Sequence, residues 1–492
     1  MMKKNAVSNP LIWIISTAAL CIAFTIILVP QAEAQGMEQR QGKDQYALII
    51  QNVLDFIQRH YVEEVDPKVL YEGAMTGMFN ALGDPYSVYM PESEMTDLND
   101  TTQGSFGGVG LYISKPISPR GDNKPPYLEV AAPIEDTPGW RAGINPGDII
   151  LEIDGESTAQ LSSDECVARL RGIPGAEVKL LIRRGERLEF PVVLVRAVIE
   201  VPTTKHAMVD SIGYLKLITF TPMTLERTRD ALSDFQSKGY KALILDLRNN
   251  YGGLLNSAVG ICQLFLDGGV VVSTKSRIES ENHVFRARGR PMIGSDIPMV
   301  VLINRGSASA SEIVAGALKD RGRAYLVGEK SFGKGSVQQV YPLDKAGFKI
   351  TTARYYTPSD VNIDKIGIPP DLEVNFPEFT EADEEKLNAL INANRIPPFV
   401  RENPGAAPSQ IEAFAGELQR DFSLDISLLK RLIRSEQNRT SIAPVYDLEY
   451  DVQLQEAVRI LKDGNFSTLM QAAKTLKQLQ DEAQEEDMPL AS

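Results

Sequence analysis

Apolar runs alternate with amphipathic segments between about residues 205 and 376. The run Ala242–Leu247 is apolar apart from Asp246, as expected of a buried strand, and Leu225–Lys238 has apolar residues at helical spacing. A second apolar run, Met299–Ile303, ends at the polar and flexible residues 304–306 and precedes another helical pattern. Strands that alternate with helices in this way predict an α/β core with a partly parallel sheet.

Short apolar runs separated by glycine turns fill the segment from about Gln103 to Val198. One strand is predicted from Phe106 to Ile113, where it is entered through a glycine loop, and one helix at Ser163–Leu170 is capped by Ser162 or Ser163. The other predicted strands are Tyr127–Val130, Ile149–Ile153, Val178–Arg183 and Arg187–Val193. The pattern predicts a β-rich domain before the α/β core.

Helical patterns flank these two regions. Residues 38–82 carry apolar positions at helical spacing until Gly83-Asp84-Pro85 stops the pattern. Beyond Glu378 the chain is again helical in pattern and more polar, and it ends in an acidic stretch at Asp481–Asp487. No chemistry is visible in the first flank, which we interpret as a packing or dimerisation arm.

Composition and charge narrow the classes of function. The chain has 492 residues, of which 43% are hydrophobic and 24% charged, as in globular proteins. Its net charge of −14 argues against nucleic acid as a partner, because phosphate binding needs a basic face. His60, His206 and His283 are scattered, and the sequence has no H-E-x-x-H or CxxC motif, which argues strongly against a zinc hydrolase.

Three cysteines are too few for a disulfide framework. Cys21 lies in the amino-terminal apolar segment, so only Cys166 and Cys262 remain in the folded part. Because free cysteine is usually buried, we expect two buried thiols, and a bridge between them stays open as the alternative.

The amino terminus follows the pattern of an export signal. Lys3 and Lys4 precede the apolar run Leu11–Val29, and Ala32-Glu33-Ala34 follows it. This pattern predicts a secretory signal that is cut after Ala34. If it stays uncut, the same run is long enough to anchor the protein in a bilayer. Either outcome places the bulk of the chain outside the cytoplasm.

Ser309 stands where the strand Met299–Ile303 gives way to a helix. Ser309-Ala310-Ser311-Glu312 fits the S/T-x-x-E capping box, so Ser309 is expected at the positive end of a helix dipole. Lys334 lies between two glycines, away from any run of charges. Burial would lower the pKa of such a lysine and let it act as a base. From the residues alone, Ser309 as a helix cap and Lys334 as a solvated loop lysine remain alternatives.

Other catalytic motifs fit this region less well. No G-x-S-x-G elbow is present for a Ser-His-Asp hydrolase. Gly328–Lys334 matches G-x-x-x-x-G-K, but Gly335 replaces the required Ser/Thr and a strand-like segment follows. Ser331-x-x-Lys334 matches S-x-x-K, but the glycines at 333 and 335 oppose the helix that this motif needs.

The β-rich segment resembles a PDZ domain of the bacterial, protease-linked kind. The run AGINPGDIILEIDG (Ala142–Gly155) carries most of the likeness. By this resemblance, Gly107, Gly108, Val109 and Gly110 form the loop that binds a peptide carboxylate. An exposed strand edge beside free N–H groups suits the capture of an extended peptide. The alternative is a glycine-rich hairpin that binds nothing.

Taken together, the motifs of the chain resemble those of the carboxyl-terminal processing peptidases, also called tail-specific proteases. The likeness runs in order from about Gln45 to Val374. Its motifs are DPYSVYM (Asp84–Met90), the PDZ run, DLRNNYGGLL (Asp246–Leu255), GSASASEIVAGAL (Gly306–Leu318), GEKSFGKGSVQQ (Gly328–Gln339), YYTPS (Tyr355–Ser359) and GIPPD (Gly367–Asp371).

The resemblance implies a role for each matching residue. Ser309 is the nucleophile, Lys334 the general base and Gln338 the residue that orients Lys334. The N–H of Ala310 and one N–H of the Gly252-Gly253 turn form the oxyanion hole. No metal or organic cofactor is implied.

The sequence departs from the family pattern in two places. Tyr251 stands where the family usually has proline, and the amino-acid sequence of the stretch Ser359–Lys365 differs from the usual family motif. Ser307 and Ser311 flank Ser309 and are interpreted as turn and helix residues. Asp320 is expected to pair with Arg321 or Arg323, because a carboxylate is poorly placed at a helix carboxyl end.

Arg171 follows the predicted PDZ helix. Such a position is usually a surface arginine, but the resemblance implies that an arginine there can link peptide binding to the active site.

We therefore predict a multi-domain α/β and α+β protein with its PDZ domain inserted between a helical arm and a protease core. The predicted regions are 1–34 (signal or anchor), 35–95 (helical), 96–199 (PDZ), 200–378 (Ser-Lys protease core) and 379–492 (helical). The predicted function is that of an exported serine endopeptidase for proteins with unstructured, apolar carboxyl tails. A catalytically inactive PDZ adaptor is the alternative, and the amphipathic termini suggest a homo-oligomer.

Overall fold

The computed structural model describes residues 45–115, 127–185, 187–375, 381–440 and 444–486. Two compact units divide the chain, one ending at Pro91 and the other beginning at Glu92. The predicted signal at residues 1–34 lies outside the described residues. No helix within the described ranges is long and apolar enough to cross a lipid bilayer.

The first unit is helical, as its apolar spacing predicts. It contains α1 (45–60), α2 (Pro67–Asn80) and the short strand β1 (Val88–Met90). Asp66 caps α2 by accepting a hydrogen bond from the Lys68 N–H, and Pro67 occupies the first turn, where its missing N–H costs nothing. The apolar stripe of α1 is exposed, by 58% at Leu48, 51% at Val53 and 65% at Phe56.

The second unit opens with the β-rich region. Its elements are α3 (Glu92–Gln103), β2 (Ser105–Gly108), β3 (Leu111–Ser114), β4 (Leu128–Pro133), α4 (Pro138–Arg141), β5 (Ile149–Ile153), β6 (Glu156–Ser157), α5 (Ser163–Leu170), β7 (Glu177–Arg184), β8 (Leu188–Val195) and β9 (Ala197–Glu200). The main sheet has the antiparallel order β3-β4-β5-β7-β8, and β2 pairs separately with β9. The predicted bounds of α5 and its Ser162 cap are confirmed.

The single strand predicted from Phe106 to Ile113 is wrong. The structure divides it into β2 and β3, which belong to different sheets. The extended conformation is interrupted at Gly110, whose φ is 74°. The α-carbon of Gly110 packs on Thr137. A β-carbon at Gly110 would lie 2.2 Å from the β-carbon of Thr137, so only glycine fits this turn.

The α/β core follows. Its elements are β10 (Thr204–Val209), β11 (Ile212–Leu217), α6 (Thr224–Ser237), β12 (Ala242–Asp246), α7 (Leu255–Gln263), β13 (Gly269–Ser276), a 3-10 turn (Glu279–Glu281), β14 (His283–Ala287), β15 (Met299–Ile303), α8 (Ala310–Asp320), β16 (Tyr325–Gly328), β17 (Ser336–Leu343), β18 (Ala346–Tyr356) and β19 (Leu372–Glu373). The central sheet has the order β10-β11-β12-β15-β16-β19, antiparallel only between β10 and β11. Within this unit, β17, β18, β13 and β14 form an antiparallel sheet.

The central sheet is buried on both faces, which explains why apolar residues dominate its inner strands β12 and β15. Leu243 and Leu245 of β12 belong to a core shared with α6, α7 and α8. Ala242 and Ile244 belong to a second core with residues of a carboxyl-terminal helix, including Leu454 and Ala457. Alternating residues of one strand therefore contact different layers, as expected of a parallel sheet with helices on both sides.

The carboxyl-terminal region is helical, as predicted. Its helices are α9 (Glu381–Ala393), α10 (Ile396–Glu402), α11 (Pro408–Phe422), α12 (Ile426–Thr440), α13 (Val452–Lys462), α14 (Phe466–Ala472) and α15 (Leu476–Glu486). Helices α9 to α12 share a separate apolar core, whereas α13 packs under the central sheet.

Cys166 and Cys262 are buried free thiols, as predicted. Cys166 lies on α5 in the core of the β-rich region, and Cys262 lies on α7 in the core of the central sheet. Burial raises the pKa of both thiols.

Candidate active site

Ser309 lies in the turn between β15 and α8. Its backbone has φ 56° and ψ −113°, a combination that is costly for a residue with a β-carbon. The Ser309 carbonyl accepts a hydrogen bond from the Ile313 N–H at 3.0 Å, so the helix continues directly from this turn. The Ser309 hydroxyl makes no cap hydrogen bond within the described chain. The half-buried hydroxyl is therefore available at a helix amino terminus.

The carboxylate of Glu312 connects this turn to the loop of Lys334. Its Oε2 accepts hydrogen bonds from the N–H groups of Ser309 at 2.9 Å and Lys334 at 2.8 Å. Its Oε1 accepts from the Gly333 N–H at 2.7 Å and from the Ser331 hydroxyl at 2.6 Å. Burial raises the pKa of Glu312, and the four hydrogen bonds offset only part of that effect. In the sequence this residue was visible only as the last position of the capping box, so its wider role was missed.

Lys334 is half-buried in the loop between β16 and β17. The glycines beside it are needed because the loop presses against the segment 364–367. A β-carbon would lie 2.9 Å from the Gly367 nitrogen if placed at Gly333, and 2.6 Å from the Asp364 nitrogen if placed at Gly335. The divergent stretch Ser359–Lys365 therefore supports the lysine loop.

Gln338 lies on β17, four residues after Lys334. Its amide nitrogen donates to the Ser336 hydroxyl at 2.9 Å and to the Thr351 hydroxyl at 3.2 Å. These two hydrogen bonds restrict the side chain. The predicted contact between Gln338 and Lys334 stays a prediction.

The Gly252-Gly253 turn follows β12 and lies against Ser309. A β-carbon at Gly252 would be 2.8 Å from that of Ser309 and 3.0 Å from the Ala310 nitrogen. The Gly252 N–H donates to Asn250 Oδ1 at 2.9 Å, so it is already used. No acceptor among the described residues takes the N–H of Gly253 or of Ala310. These two groups are the candidate oxyanion donors.

Asn250 holds the glycine turn and the serine turn together. Its carbonyl accepts hydrogen bonds from the Ala308 N–H at 3.0 Å and the Ser311 hydroxyl at 2.7 Å. Its amide nitrogen donates to the Leu217 carbonyl at 2.9 Å, and its side chain is fully buried. Ser311 thus has the structural role expected of it. No feature of the sequence pattern had singled out Asn250.

Ser307 also has the structural role expected of it. Its hydroxyl donates to the Leu247 carbonyl at 2.9 Å and accepts from the Asn304 N–H at 3.0 Å. Tyr251 is 77% exposed, and both glycines of the turn have positive φ angles, 107° at Gly252 and 140° at Gly253.

The predicted peptide loop lies beside Arg171. Gly107 and Gly108 belong to β2, Val109 is buried, and a β-carbon at Gly107 would lie 2.1 Å from the Gly172 carbonyl oxygen. Within the described part of the chain, β3 pairs only with β4, which leaves the other edge of β3 open. An open edge beside a glycine loop is the arrangement that peptide capture requires.

Arg171 forms more contacts than a solvated arginine. Its Nη1 donates to Asp97 at 2.6 Å and to Asp100 at 3.0 Å, both on α3. Its guanidinium carbon lies 4.9 Å from the centroid of the Phe106 ring. Helix α3 contacts β18 through Met95, whose sulfur would be 2.8 Å from a β-carbon at Gly347. Arg171 is therefore connected to the sheet that carries Gln338.

The pairing predicted for Asp320 is wrong. Its Oδ2 accepts from the N–H and the hydroxyl of Ser359 at 3.1 and 2.6 Å, and its Oδ1 accepts from the Leu476 N–H at 2.8 Å. Leu476 begins α15, so the carboxylate meets the positive end of that helix. Arg323 donates instead to the backbone carbonyls of Phe265, Gly294 and Ile297.

The described ranges contain no group of three or more His, Cys, Asp or Glu side chains that could hold a metal ion.

Comparison with known proteins supplies the family. The model of Peptidase family S41 matches residues 211–374, a PDZ domain model matches 129–184, and the model of the activating protease CtpB N-terminal domain matches 26–94. A carboxy-terminal-processing protease of Bartonella bacilliformis is 39% identical over 366 residues, which cover 73% of this chain and 82% of the relative. The chain belongs to the carboxy-terminal processing proteases.

Two further relatives of the protease extend the comparison. The carboxy-terminal processing protease CtpA of Bacillus subtilis is 30% identical over 370 residues, covering 75% of this chain and 77% of the relative. The solved structure of a photosystem II D1 C-terminal processing protease covers 67% of this chain and 92% of that chain, with 29% identity and a TM-score of 0.40. This protease is therefore of the serine type and acts on proteins, and its PDZ domain lies between the helical amino-terminal region and the S41 domain.

Replacing Glu312 tests whether its carboxylate holds the site together. We expect Glu312→Gln to lower the free energy of unfolding by about 3 kcal/mol, because each buried donor left unsatisfied costs about 1–3 kcal/mol. Turnover of casein should fall at least about tenfold, because the Ser309 and Lys334 segments lose their common acceptor. Urea unfolding and a casein assay measure the two effects.

Glu226→Gln, at an exposed position on α6, is the matched control and should change neither quantity. A Glu312→Gln protein with the stability and turnover of the wild type would contradict the role assigned to this carboxylate.

Proposed function

We propose that the protein is a serine endopeptidase that uses a Ser309–Lys334 dyad, with Gln338 orienting the lysine. One observation carries the proposal. The backbone nitrogens of Ser309 and Lys334 donate to the same oxygen of Glu312, at 2.9 and 2.8 Å. The two nitrogens are therefore at most about 6 Å apart, which brings the backbone of a helix-terminal serine close to that of a half-buried lysine.

The proposed reaction is an acyl transfer in two steps. Lys334, in its neutral form, takes the proton of the Ser309 hydroxyl while the oxygen attacks the scissile carbonyl. The N–H groups of Ala310 and Gly253 stabilise the resulting oxyanion, and the protonated lysine gives its proton to the leaving amine. Water then hydrolyses the ester at Ser309 with Lys334 again as the base. None of these steps calls for a metal or an organic cofactor.

The proposed substrates are proteins with unstructured, apolar carboxyl tails. The open edge of β3 supports this assignment because an extended tail can add to it as a further strand. Gly107, Gly108, Val109 and Gly110 would receive the terminal carboxylate. The contacts from Arg171 to α3 give a physical route by which tail binding can alter the active site.

The proposed setting is extracytoplasmic, with export through residues 1–34 as a cut signal or as an anchor that provides the only membrane contact. The helical arm of residues 35–95 would support a homo-oligomer, since α1 exposes an apolar stripe. The remaining proposed regions are the PDZ domain at 96–199, the core at 200–378 and the helical end at 379–492. Nucleic acid is not a proposed partner of this acidic chain.

The alternative function is that of a PDZ adaptor that captures carboxyl tails without cutting them. The strained turn at Ser309 favours the enzyme, because backbone strain at a serine whose hydroxyl makes no cap hydrogen bond among the described residues is typical of a reactive site.

Replacing each member of the dyad tests the proposal. We expect Ser309→Ala and Lys334→Ala to lower casein turnover at least about a thousandfold, because the first removes the nucleophile and the second its base. Thermal unfolding should show that both variants are folded. Lys330→Ala changes an exposed lysine in the same loop and should leave turnover unchanged. Cleavage by either dyad variant at the wild-type rate would refute the assignment.

Replacing Arg171 tests the connection to the PDZ domain. The measured quantity is the ratio of cleavage rates for a reporter with an apolar tail and the same reporter without it. We expect Arg171→Ala to bring this ratio close to one, because Asp97 and Asp100 lose their link to α5. Arg169→Ala, which removes only a pair with Glu156, should leave the ratio unchanged. An unchanged ratio in Arg171→Ala would show that this contact carries no signal.

A further inference from the structure

Arg248 stands at the centre of a buried charge cluster two residues before Asn250. All five of its guanidinium N–H groups are used. Nε and Nη2 donate to the two oxygens of Asp246 at 3.0 and 2.6 Å, and Nη1 and Nη2 donate to the two oxygens of Asp451 at 2.7 and 2.6 Å. Nη1 also donates to Gln453 Oε1 at 3.0 Å. The side chains of Arg248, Asp246 and Asp451 are only 8%, 0% and 19% exposed.

Asp451 brings the second carboxylate from a distant part of the chain. It lies 203 positions from Arg248 and caps α13, where its Oδ1 also accepts a hydrogen bond from the Leu454 N–H at 3.0 Å. Helix α13 is held firmly under the central sheet, since Leu454, Ala457 and Ile460 are buried there. The carboxylate is therefore a fixed point and not a flexible surface charge.

The two bidentate ion pairs of Arg248, with Asp246 and Asp451, hold the backbone in place where the chain leaves β12. Asn250 follows two residues later. Its Oδ1 accepts a hydrogen bond from the Gly252 N–H, and its carbonyl accepts one from the Ala308 N–H. A shift of Arg248 would move Asn250 and with it the turn that carries Gly253. An oxyanion donor must lie about 2.7–3.1 Å from the oxyanion, and a displacement of about 1 Å can slow the reaction by about a hundredfold, so a shift of this turn would destabilise the transition state.

We propose that Asp451 is a positioning residue for catalysis, through which the carboxyl-terminal helical region aims the oxyanion turn. It touches neither substrate nor Ser309 and acts through Arg248 and Asn250. The inference rests on the proposed dyad and oxyanion hole and assigns a role to a region outside the S41 match at 211–374.

Asp451→Ser separates this role from helix capping, because serine can still cap α13 but cannot form the bidentate ion pair with Arg248. We expect kcat of the full chain on a short peptide ester to fall about ten- to a hundredfold, with KM within about twofold. A peptide aldehyde that forms a hemiacetal with Ser309 places its oxygen in the oxyanion site. Its affinity should fall by the same factor as kcat, while the affinity of the matching product acid stays unchanged.

Asp425→Ser is the matched control. Asp425 likewise caps a carboxyl-terminal helix, accepting from the N–H groups of Ser427 at 2.9 Å and Leu428 at 3.1 Å, and it has no contact with Arg248 among the described residues. This variant should keep the kcat and the aldehyde affinity of the wild type. If Asp451→Ser does not fold, Asp451→Asn takes its place, because asparagine keeps the cap and one acceptor oxygen. In this variant kcat and the aldehyde affinity should both fall several-fold.

A wild-type kcat in the Asp451 variants, equal losses in Asp425→Ser, or a loss of kcat without a loss of aldehyde affinity would each overturn the inference. Failure of the underlying function looks different. In that case Ser309→Ala would itself retain cleavage, whereas failure of this inference alone leaves Ser309→Ala inactive and Asp451→Ser equal to Asp425→Ser.

Discussion

The carboxylate of Glu312 receives four hydrogen bonds, from the N–H groups of Ser309, Gly333 and Lys334 and from the Ser331 hydroxyl. A buried carboxylate is stable only when donors surround it, and here the donors come from two segments that would otherwise be independent. The turn after β15 and the loop before β17 therefore become one unit. The side chain of Glu312 thus sets the separation between the backbones of Ser309, the proposed nucleophile, and Lys334, the proposed base.

The central sheet supplies the other half of the geometry. Strands β12 and β15 are parallel neighbours, so their carboxyl ends bring the glycine turn and the serine turn to the same edge. Side-chain hydrogen bonds then fix the fine placement, since Asn249 and Asn304 each accept from the other at 2.9 Å. Arg248 stabilises this edge of the sheet through ion pairs with Asp246 of β12 and with Asp451, the cap of α13.

Local patterns and family likeness predicted much of this structure. The bounds of β15 and α5, the two buried thiols, the PDZ domain and the family were all anticipated, because strand burial, helix caps and family motifs are local signals. The structure divided the strand predicted at Phe106–Ile113 because Gly110 packs against Thr137, a contact that periodicity does not record. Asp320 and Arg248 found partners far along the chain, and no local pattern indicates an ion pair across 203 positions. The roles proposed for Ser309 and Lys334 rest on the resemblance and on the site geometry, whereas the role proposed for Gln338 rests on the resemblance.

Trapping the acyl-enzyme tests the central claim most directly. The protein is mixed with a peptide ester, quenched in acid during turnover, and digested so that mass spectrometry locates the peptidyl adduct. The dyad predicts an adduct on Ser309 in the wild type and its loss in Lys334→Ala, because serine is not activated without its base. An adduct on another residue, or equal labelling of Ser309 in Lys334→Ala, would contradict the account.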